Sequence, residues 1–475
     1  MSQDFSVILQ SPLVRQLVQD GILVRAFHDA LFPAMLFRGD VESKKWPGNV
    51  GDRIFETARG LLTPDLAPLT PGDDPIPETL SYEQWTAVVQ QWATTVDTHM
   101  LTDNMALASL LLSNLHAMGM KMAQNLNRLV RDREYNAALS GNTVCDQSTG
   151  PAHTIHVRSL NGFTAARNPS LAGASPAQFA PVSTANPLPI TITHGATPIT
   201  RNVTAFAPDN AGDEIGPGTL TLDGANVTVT ARDPVISGDA SFITRVGGGQ
   251  SIDPITSADI FSFASIRGAV QRFRQQNVPR FQDGRYHCHI DPTSEGQVFS
   301  DPEMQRLNTA LPDWYMYKDF ALGHILNVIF LPNTECPQID NVLTTNGDGV
   351  TYSPHDPFAG ELFSGGTQTP GPGAGVPIHR PLFVGQGGIR EYWIDYDGTV
   401  TDAGITGKIG QAKVVNNGID VDTDHIAVLL RGPLNRMQDK VTGLAKFAGD
   451  WSIRTDGASG DGARYKRFLA VEHGA

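Results

Sequence analysis

Residues 51–142 constrain this chain more than any other stretch: strand-like segments flank a proline-rich tip and lead at once into one very long amphipathic run. Leu101, Met105, Ala108, Leu112, Leu115, Gly119, Met122, Leu126 and Leu129 recur at alternating spacings of four and three, which marks an apolar stripe on a helix. The spacing predicts a helix over 98–140, roughly 40 residues and about 60 Å long, against an average helix of about 11 residues. Thr98 or Thr102 is placed to cap its start, Asp103 lies near the positive end of its dipole, and Ser140-Gly141-Asn142 supplies a stop. A parallel coiled coil is the alternative for such a period, but Ala108 and Gly119 would leave gaps in the seam. The expectation is a long helix packed across a sheet.

The preceding segment has period two. Residues 53–57 and 83–96 are rich in β-branched and aromatic side chains, with Trp85, Ala87 and Val89 on one face and Thr86, Val88 and Trp92 on the other. Between them, Pro64, Pro68, Pro71, Pro75 and Pro77 stiffen the chain and deny it a regular ladder, and Asp73-Asp74 adds charge. This predicts two long antiparallel strands carrying an extended loop. A two-stranded hairpin is marginal in water, so its partners are expected from another subunit. Phe55, Pro64, Pro68, Pro71, Asp73, Asp74, Trp85, Val89 and Trp92 are the candidate contact residues. An ordinary surface hairpin would explain the same letters equally well without the long helix.

A chain of 475 residues has room for two or three domains, and 40% apolar residues support a substantial core. The net charge of -14 argues against a general nucleic-acid-binding surface, which needs clustered Lys and Arg, but it is compatible with a container that encloses a polyanion without holding it. Cys145, Cys288 and Cys336 are too scattered for a disulfide framework and fit a reducing compartment. The first residues lack the pattern of a secretory signal, and no stretch is apolar enough to predict a membrane span.

Organisation follows from shifts in composition. Residues 1–50 read as an amino-terminal arm, helical over 11–37; 51–98 as the extended loop; 99–145 as the long helix; 146–250, rich in Thr, Pro, Gly and Asn with short alternating runs, as an inserted all-β module; and 251–475 as the remaining α+β body. Within that body a helix is predicted from Ser257 to Asn277, capped by Ser257 or Asp259. Strands are predicted over 286–290 and 325–331, a short helix over 301–308, a Gly- and Pro-dense loop over 346–388, strands over 390–396 and 425–431, and a polar tail.

Chemistry is sparse. His287 and His289 would share one face of a strand with Asp291 nearby, but two ligands do not make a metal site, and alternating polar residues on a half-buried strand explain them. His153 and His156 lack helical context. Gly247-Gly248-Gly249 is followed by no Lys-Ser or Lys-Thr, and Asp395 and Asp397 are two acids among 49. Scattered tryptophans, Trp46, Trp85, Trp92, Trp314, Trp393 and Trp451, suit packing or subunit contact. No catalytic, cofactor or metal residue is assigned, and the chain reads as a protein without enzymatic activity.

In this order of parts the chain resembles the major capsid proteins of tailed bacteriophages, whose fold is shared with encapsulin nanocompartments. The resemblance rests on the arm, the loop 51–96, the helix 98–140 ending in Asp132-Arg133-Glu134-Tyr135-Asn136-Ala137-Ala138-Leu139-Ser140-Gly141, then Gly284-Arg285-Tyr286-His287-Cys288-His289-Ile290-Asp291-Pro292 followed by Phe299-Ser300-Asp301-Pro302. It implies an α+β fold with a peripheral domain carrying the long spine helix, an axial domain, an extended loop over a neighbour and an amino-terminal arm, to which the all-β insertion is added. It further implies pentamers and hexamers that assemble into an icosahedral shell around double-stranded DNA, a virion location after assembly in the host bacterial cytoplasm, a separate scaffolding protein, a portal and a cement or decoration protein. An encapsulin-like shell around a cargo enzyme and a soluble β-rich metal- or carbohydrate-dependent enzyme are the competing readings.

Overall fold

The computed structural model describes residues 36–47, 51–59, 74, 82–99, 110–167, 177–195, 197–212, 214–252, 254–310, 323–340, 376–394, 406–408, 413–416, 419–422, 426–431, 440–456 and 463–474. The helical arm expected over 11–37 lies almost wholly outside these residues, as do Pro64, Pro68, Pro71, Asp73, Trp314, Asp395 and Asp397. The chain divides into one unit of residues 1–54, 86–133 and 389–452, and a second of 55–85, 134–388 and 453–475.

The first unit is a helix on a mixed sheet. Strand β1 (Glu42–Lys45) pairs in parallel with Ile389–Trp393, and the sheet continues through the long strand Lys440–Ile453 to Ala427–Arg431 and Thr406–Lys408. Strands β2 (Arg53–Arg59), β3 (Tyr82–Val88) and β4 (Gln90–His99) come next in the chain. β4 runs antiparallel to the long strand from Gln90↔Gly449 to His99↔Lys440. The single strand expected over 83–96 is therefore broken. At Val89, whose amide donates to the Asp52 carbonyl (3.0 Å), the inward face changes from odd positions, Glu83 and Ala87, to even ones, Thr94 and Thr98. A strand that leaves one sheet for another must change register with the side it buries.

Helix α1 spans Leu110–Leu139. Residues 100–109 are outside the described set, and Thr98 is a buried residue of β4 that accepts from Asn114 Nδ2 (2.8 Å), so it does not cap the helix. Leu115, Gly119, Met122 and Leu126 are buried as the stripe predicts, but Val130 replaces Leu129 at the next position. The reason is geometric: a straight helix of 3.6 residues per turn drifts by about 20° per heptad against an alternating four–three pattern.

The core of this unit holds Trp92, Phe447 and Trp451, with ring centroids 5.0–6.0 Å apart. Arg38 reaches into it from a short 3₁₀ turn, Phe37–Asp40, lying 5.6 Å from the centroid of Phe447 and donating through Nε to Glu391 Oε2 at 2.8 Å. Phe37, Arg38, Asp40 and Trp46 are thus buried within the stretch 1–50 expected to be an arm.

The second unit contains α2 (Phe263–Gln275), β5 (Tyr286–Ile290), α3 (Pro292–Ser300) and β6 (Phe468–Gly474). An eight-stranded mixed sheet runs in the order His324–Ile325, Val328–Pro332, β5, Leu382–Val384, β6, Pro377–His379 and Gln338–Asp340, with Ile243–Arg245 parallel to β6. The expected polar tail is a strand, β6, with every residue buried. β5 is buried on both faces, as a strand inside a sheet is, so His287 and His289 do not sit on a half-buried surface. Helix α2 begins only at Phe263, whose amide donates to Asp301 Oδ2 (2.8 Å), while Asp259 closes a local turn with Thr256. The strand expected over 325–331 is a hairpin, because Leu326 and Asn327 take positive φ of 51° and 65°. The end of the loop expected over 346–388 carries Pro377–His379 and Leu382–Val384.

The inserted β-rich stretch contains a closed barrel. Its sheet runs Asn142–Val144, Pro234–Ser237, Leu188–His194, Thr197–Pro208, Gly218–Leu222, Thr154–Val157, and a bridge between Cys145 and Val157 joins the outermost strands. Ile155, Val157, Leu188, Ile190, Ile192, Val203, Leu220 and Val235 fill it. The chain enters and leaves at one point: the Ser237 amide donates to the Gly141 carbonyl at 2.8 Å, and Gly141 stops α1 with φ +75° where a Cβ would lie 2.8 Å from Ala240 Cα. The compositional limits 146 and 250 do not coincide with these strands. Ile243–Arg245 joins the eight-stranded sheet, and Ala165–Arg167 with Ala177–Pro181 extends the sheet of β2 and β3.

Candidate subunit interface

The loop strands form the ribbon on which an intersubunit contact was anticipated. The sheet order is β2, β3, Ala177–Pro181, Ala165–Arg167, with β3 parallel to Ala177–Pro181 through Glu83↔Ala177 and Gln84↔Gln178. Strand partners expected from another subunit are therefore supplied by the same chain, and among the described residues the outer edge of β2 has no strand partner. An unpaired edge offers a row of backbone donors and acceptors to another strand.

Alternation along β2 decides which side chains it presents. Ile54 packs with Trp46, Ala87 and Tyr392, so Phe55 points the other way and is 60% exposed. Tyr82, at the start of β3, is 41% exposed. Only five large hydrophobic side chains are exposed among the described residues, and these two stand on the ribbon. Covering Phe55 would contribute about 1–2 kcal/mol at the usual value per unit area.

The other candidates separate clearly. Asp74 is exposed. Trp85 is half-buried with the Arg454 guanidinium 6.0 Å from its ring, and its indole N–H is out of solvent with no acceptor among the described residues. Val89 packs beside Trp46 and Tyr392, and Trp92 beside Phe447 and Trp451, so both contribute to the chain's own core. Tyr82 escaped the sequence reading, although its place at the strand's first residue, next to the proline-rich tip, was legible.

The polar clusters have structural partners. His287 stacks on Phe281 with centroids 3.8 Å apart. His156 lies between Asp146 (2.5 Å) and Asp209 (3.1 Å); burial opposes its charge, but the two carboxylates raise its pKa. Gly247, Gly248 and Gly249 all have positive φ and form a turn.

One cluster is absent from the sequence reading: Asp291, Ser294, His379 and His473, all buried. Asp291 caps α3 by accepting from the amides of Thr293 (3.1 Å) and Ser294 (3.2 Å), and lies 2.8 Å from His379 Nδ1. Ser294 Oγ is 2.7 Å from His473 Nε2, and the two imidazoles stack at 5.4 Å. Burial holds the His473 pKa down to about 4, with the nearby His379 adding to the effect. Asp291 sits at about 2 because, although burial opposes its charge, His379 and Ser294 stabilise the carboxylate.

Both shifts make the fold acid-sensitive. Between pH 6.5 and about 4 the unfolded chain takes up a proton that native His473 refuses, so stability falls as pH falls through that window. The total for His473 is about 3 kcal/mol. Asp291 extends the loss as pH drops from 3.8 towards about 2. Urea unfolding at pH 7 and pH 4.5 should show a smaller decline in His473→Gln than in the wild type. Equal declines would mean that His473 is not the group responsible.

No family model matches the chain, and no curated protein does. Solved structures do. The capsid of Ralstonia phage GP4 is similar over 94% of this chain and 90% of that chain, at 14% identity and a TM-score of 0.45. The capsid of the cyanophage P-SCSP1u is similar over 93% and 88%, at 8% identity and 0.47. The capsid of the cyanophage Pam1 is similar over 90% and 86%, at 10% identity and 0.44.

Proposed function

We propose that this chain is the structural subunit of an icosahedral phage head, without catalytic activity or cofactor. Copies associate as pentamers and hexamers, the shell encloses double-stranded DNA without reading its sequence, and a separate scaffolding protein, a portal and a cement or decoration protein act with it. In this reading α1 and the long strand Lys440–Ile453 form the peripheral domain, α2, β5 and β6 the axial domain, and the barrel an inserted domain.

The observation that carries the proposal is the ribbon. The ribbon gives Ile54 and Ala87 to the chain's own packing, yet among the described residues the outer edge of β2 has no strand partner, and Phe55 and Tyr82 stand exposed next in sequence to a proline-rich segment. That combination suits a surface completed by a neighbouring copy, and a head-to-tail interface gives a closed ring of identical contacts when its rotation closes. Negative-stain microscopy of the purified protein tests it. Closed shells tens of nanometres wide, or rings of five and six subunits, are expected; only particles of the size of one 51.1 kDa chain would contradict it.

A further inference from the structure

We propose that the exposed face of α2 is a phosphate-binding surface through which the subunit touches the backbone of the enclosed duplex; this rests on the shell reading above. From residue 260 to 282 the chain has no Asp or Glu, although 49 acids are spread over its 475 residues, and it carries Arg267, Arg272, Arg274 and Arg280. The helix buries Phe263, Ile266, Ala269, Val270 and Phe273. Its opposite side presents Arg267, Gln271, Arg274 and Gln275, all exposed.

Arg274 follows Arg267 by seven positions, which puts them on the same side of the helix about 10 Å apart along its axis. They border an open groove of about 500 Å³, shared with Gln271, Gln275 and Leu326. The other two arginines are engaged by rings: Arg272 lies 3.5 Å from the centroid of Phe242, and Arg280 5.8 Å from that of Tyr286. Arg267 is 4.0 Å from Glu303 in an exposed pair, too weak a contact to hold it, and Arg274 has no ion-pair partner among the described residues.

The chemistry favours phosphate over carboxylate. Both exposed cations are guanidinium groups, whose planar fork matches a phosphate bidentately, and the Gln271 and Gln275 side chains beside them are amides that can donate to the same oxygens. An acidic peptide would need an apolar seat as well, and the groove offers one exposed apolar side chain, Leu326. In a chain of net charge -14, a helix with no acid of its own is where a polyanion meets less repulsion.

The test uses the full chain and a labelled DNA duplex of arbitrary sequence, with fluorescence anisotropy recorded over a series of salt concentrations. Wild type is expected to bind weakly, and Arg267→Glu/Arg274→Glu to bind at least about ten-fold less at low salt, with the salt slope reduced by about 2 for two lost phosphate contacts. Arg201→Glu, a change on the barrel, should bind as wild type does, and matching circular-dichroism melts show that the variants fold. Wild-type protein that forms shells yet binds no duplex, or a double variant that binds equally well, overturns the inference and leaves the shell reading standing. Loss of polyglutamate binding in the double variant, without any duplex binding by wild type, overturns it in favour of an acidic protein partner. Failure of wild type to form shells counts against the function itself.

Discussion

Deleting residues 62–79 and closing the gap with a short glycine linker leaves a folded subunit that forms no shells. β2 and β3 are neighbours in one sheet, so their ends can be joined by a short turn without moving either strand. The change in closure entropy is small, since each doubling of loop length costs only about 0.6 kcal/mol. Thermal unfolding should therefore stay within a few degrees of wild type. Assembly responds differently because every copy loses the same contact, and weak contacts repeated around a closed ring multiply their effect. Microscopy should show discrete small particles where the intact chain gives shells. Normal shells from the deletion would remove the loop from the interface.

Glu391→Ala is expected to cost about 3–5 kcal/mol, the range for breaking a buried ion pair from one side. Arg38 and Glu391 are each only 1% exposed, and the same carboxylate accepts from Trp451 Nε1 at 3.3 Å. Truncating it leaves a guanidinium among Phe447 and Trp451 with its main acceptor gone. Replacing both partners, Arg38→Met with Glu391→Leu, removes the charges together and should recover most of the loss, because an apolar pair of similar volume pays no desolvation. Urea unfolding followed by tryptophan fluorescence measures both variants. A single variant within about 1 kcal/mol of wild type would show that the pair contributes little.

Periodicity made α1 legible, because its buried side is a continuous stripe whose spacing survives drift. The β-rich insertion was legible as a change of composition, but its limits were not. Those limits depend on which strands close the barrel and which join other sheets. β6 was invisible for a related reason. Glu472 and His473 read as the polar end of a tail, yet Glu472 is held by Arg245 (2.7 Å) and Arg380 (3.0 Å), and His473 by Ser294. A buried charge looks like a surface charge until its partners are known, and these lie far away in the chain. Helix α3 did leave a trace: Asp291-Pro292 places a good capping residue before a proline at the first helical position.

The interface was legible only in part. Strand alternation marks Phe55, and the prolines mark the tip, but no local pattern reveals that Val89 and Trp92 turn into the chain's own core. That follows from the break at Val89, which requires two sheets to be known at once. The ribbon's partner strands, at 165–167 and 177–181, come from inside the β-rich insertion, so the need for a neighbour shrinks from a whole sheet to one edge.

A cryo-electron microscopy reconstruction of the assembled protein tests that edge most directly. The expected result is an icosahedral shell of pentamers and hexamers in which the outer edge of β2 and the ring of Phe55 are covered by an adjacent copy. A protein that yields no shell, or a shell in which Phe55 still faces solvent, would contradict it.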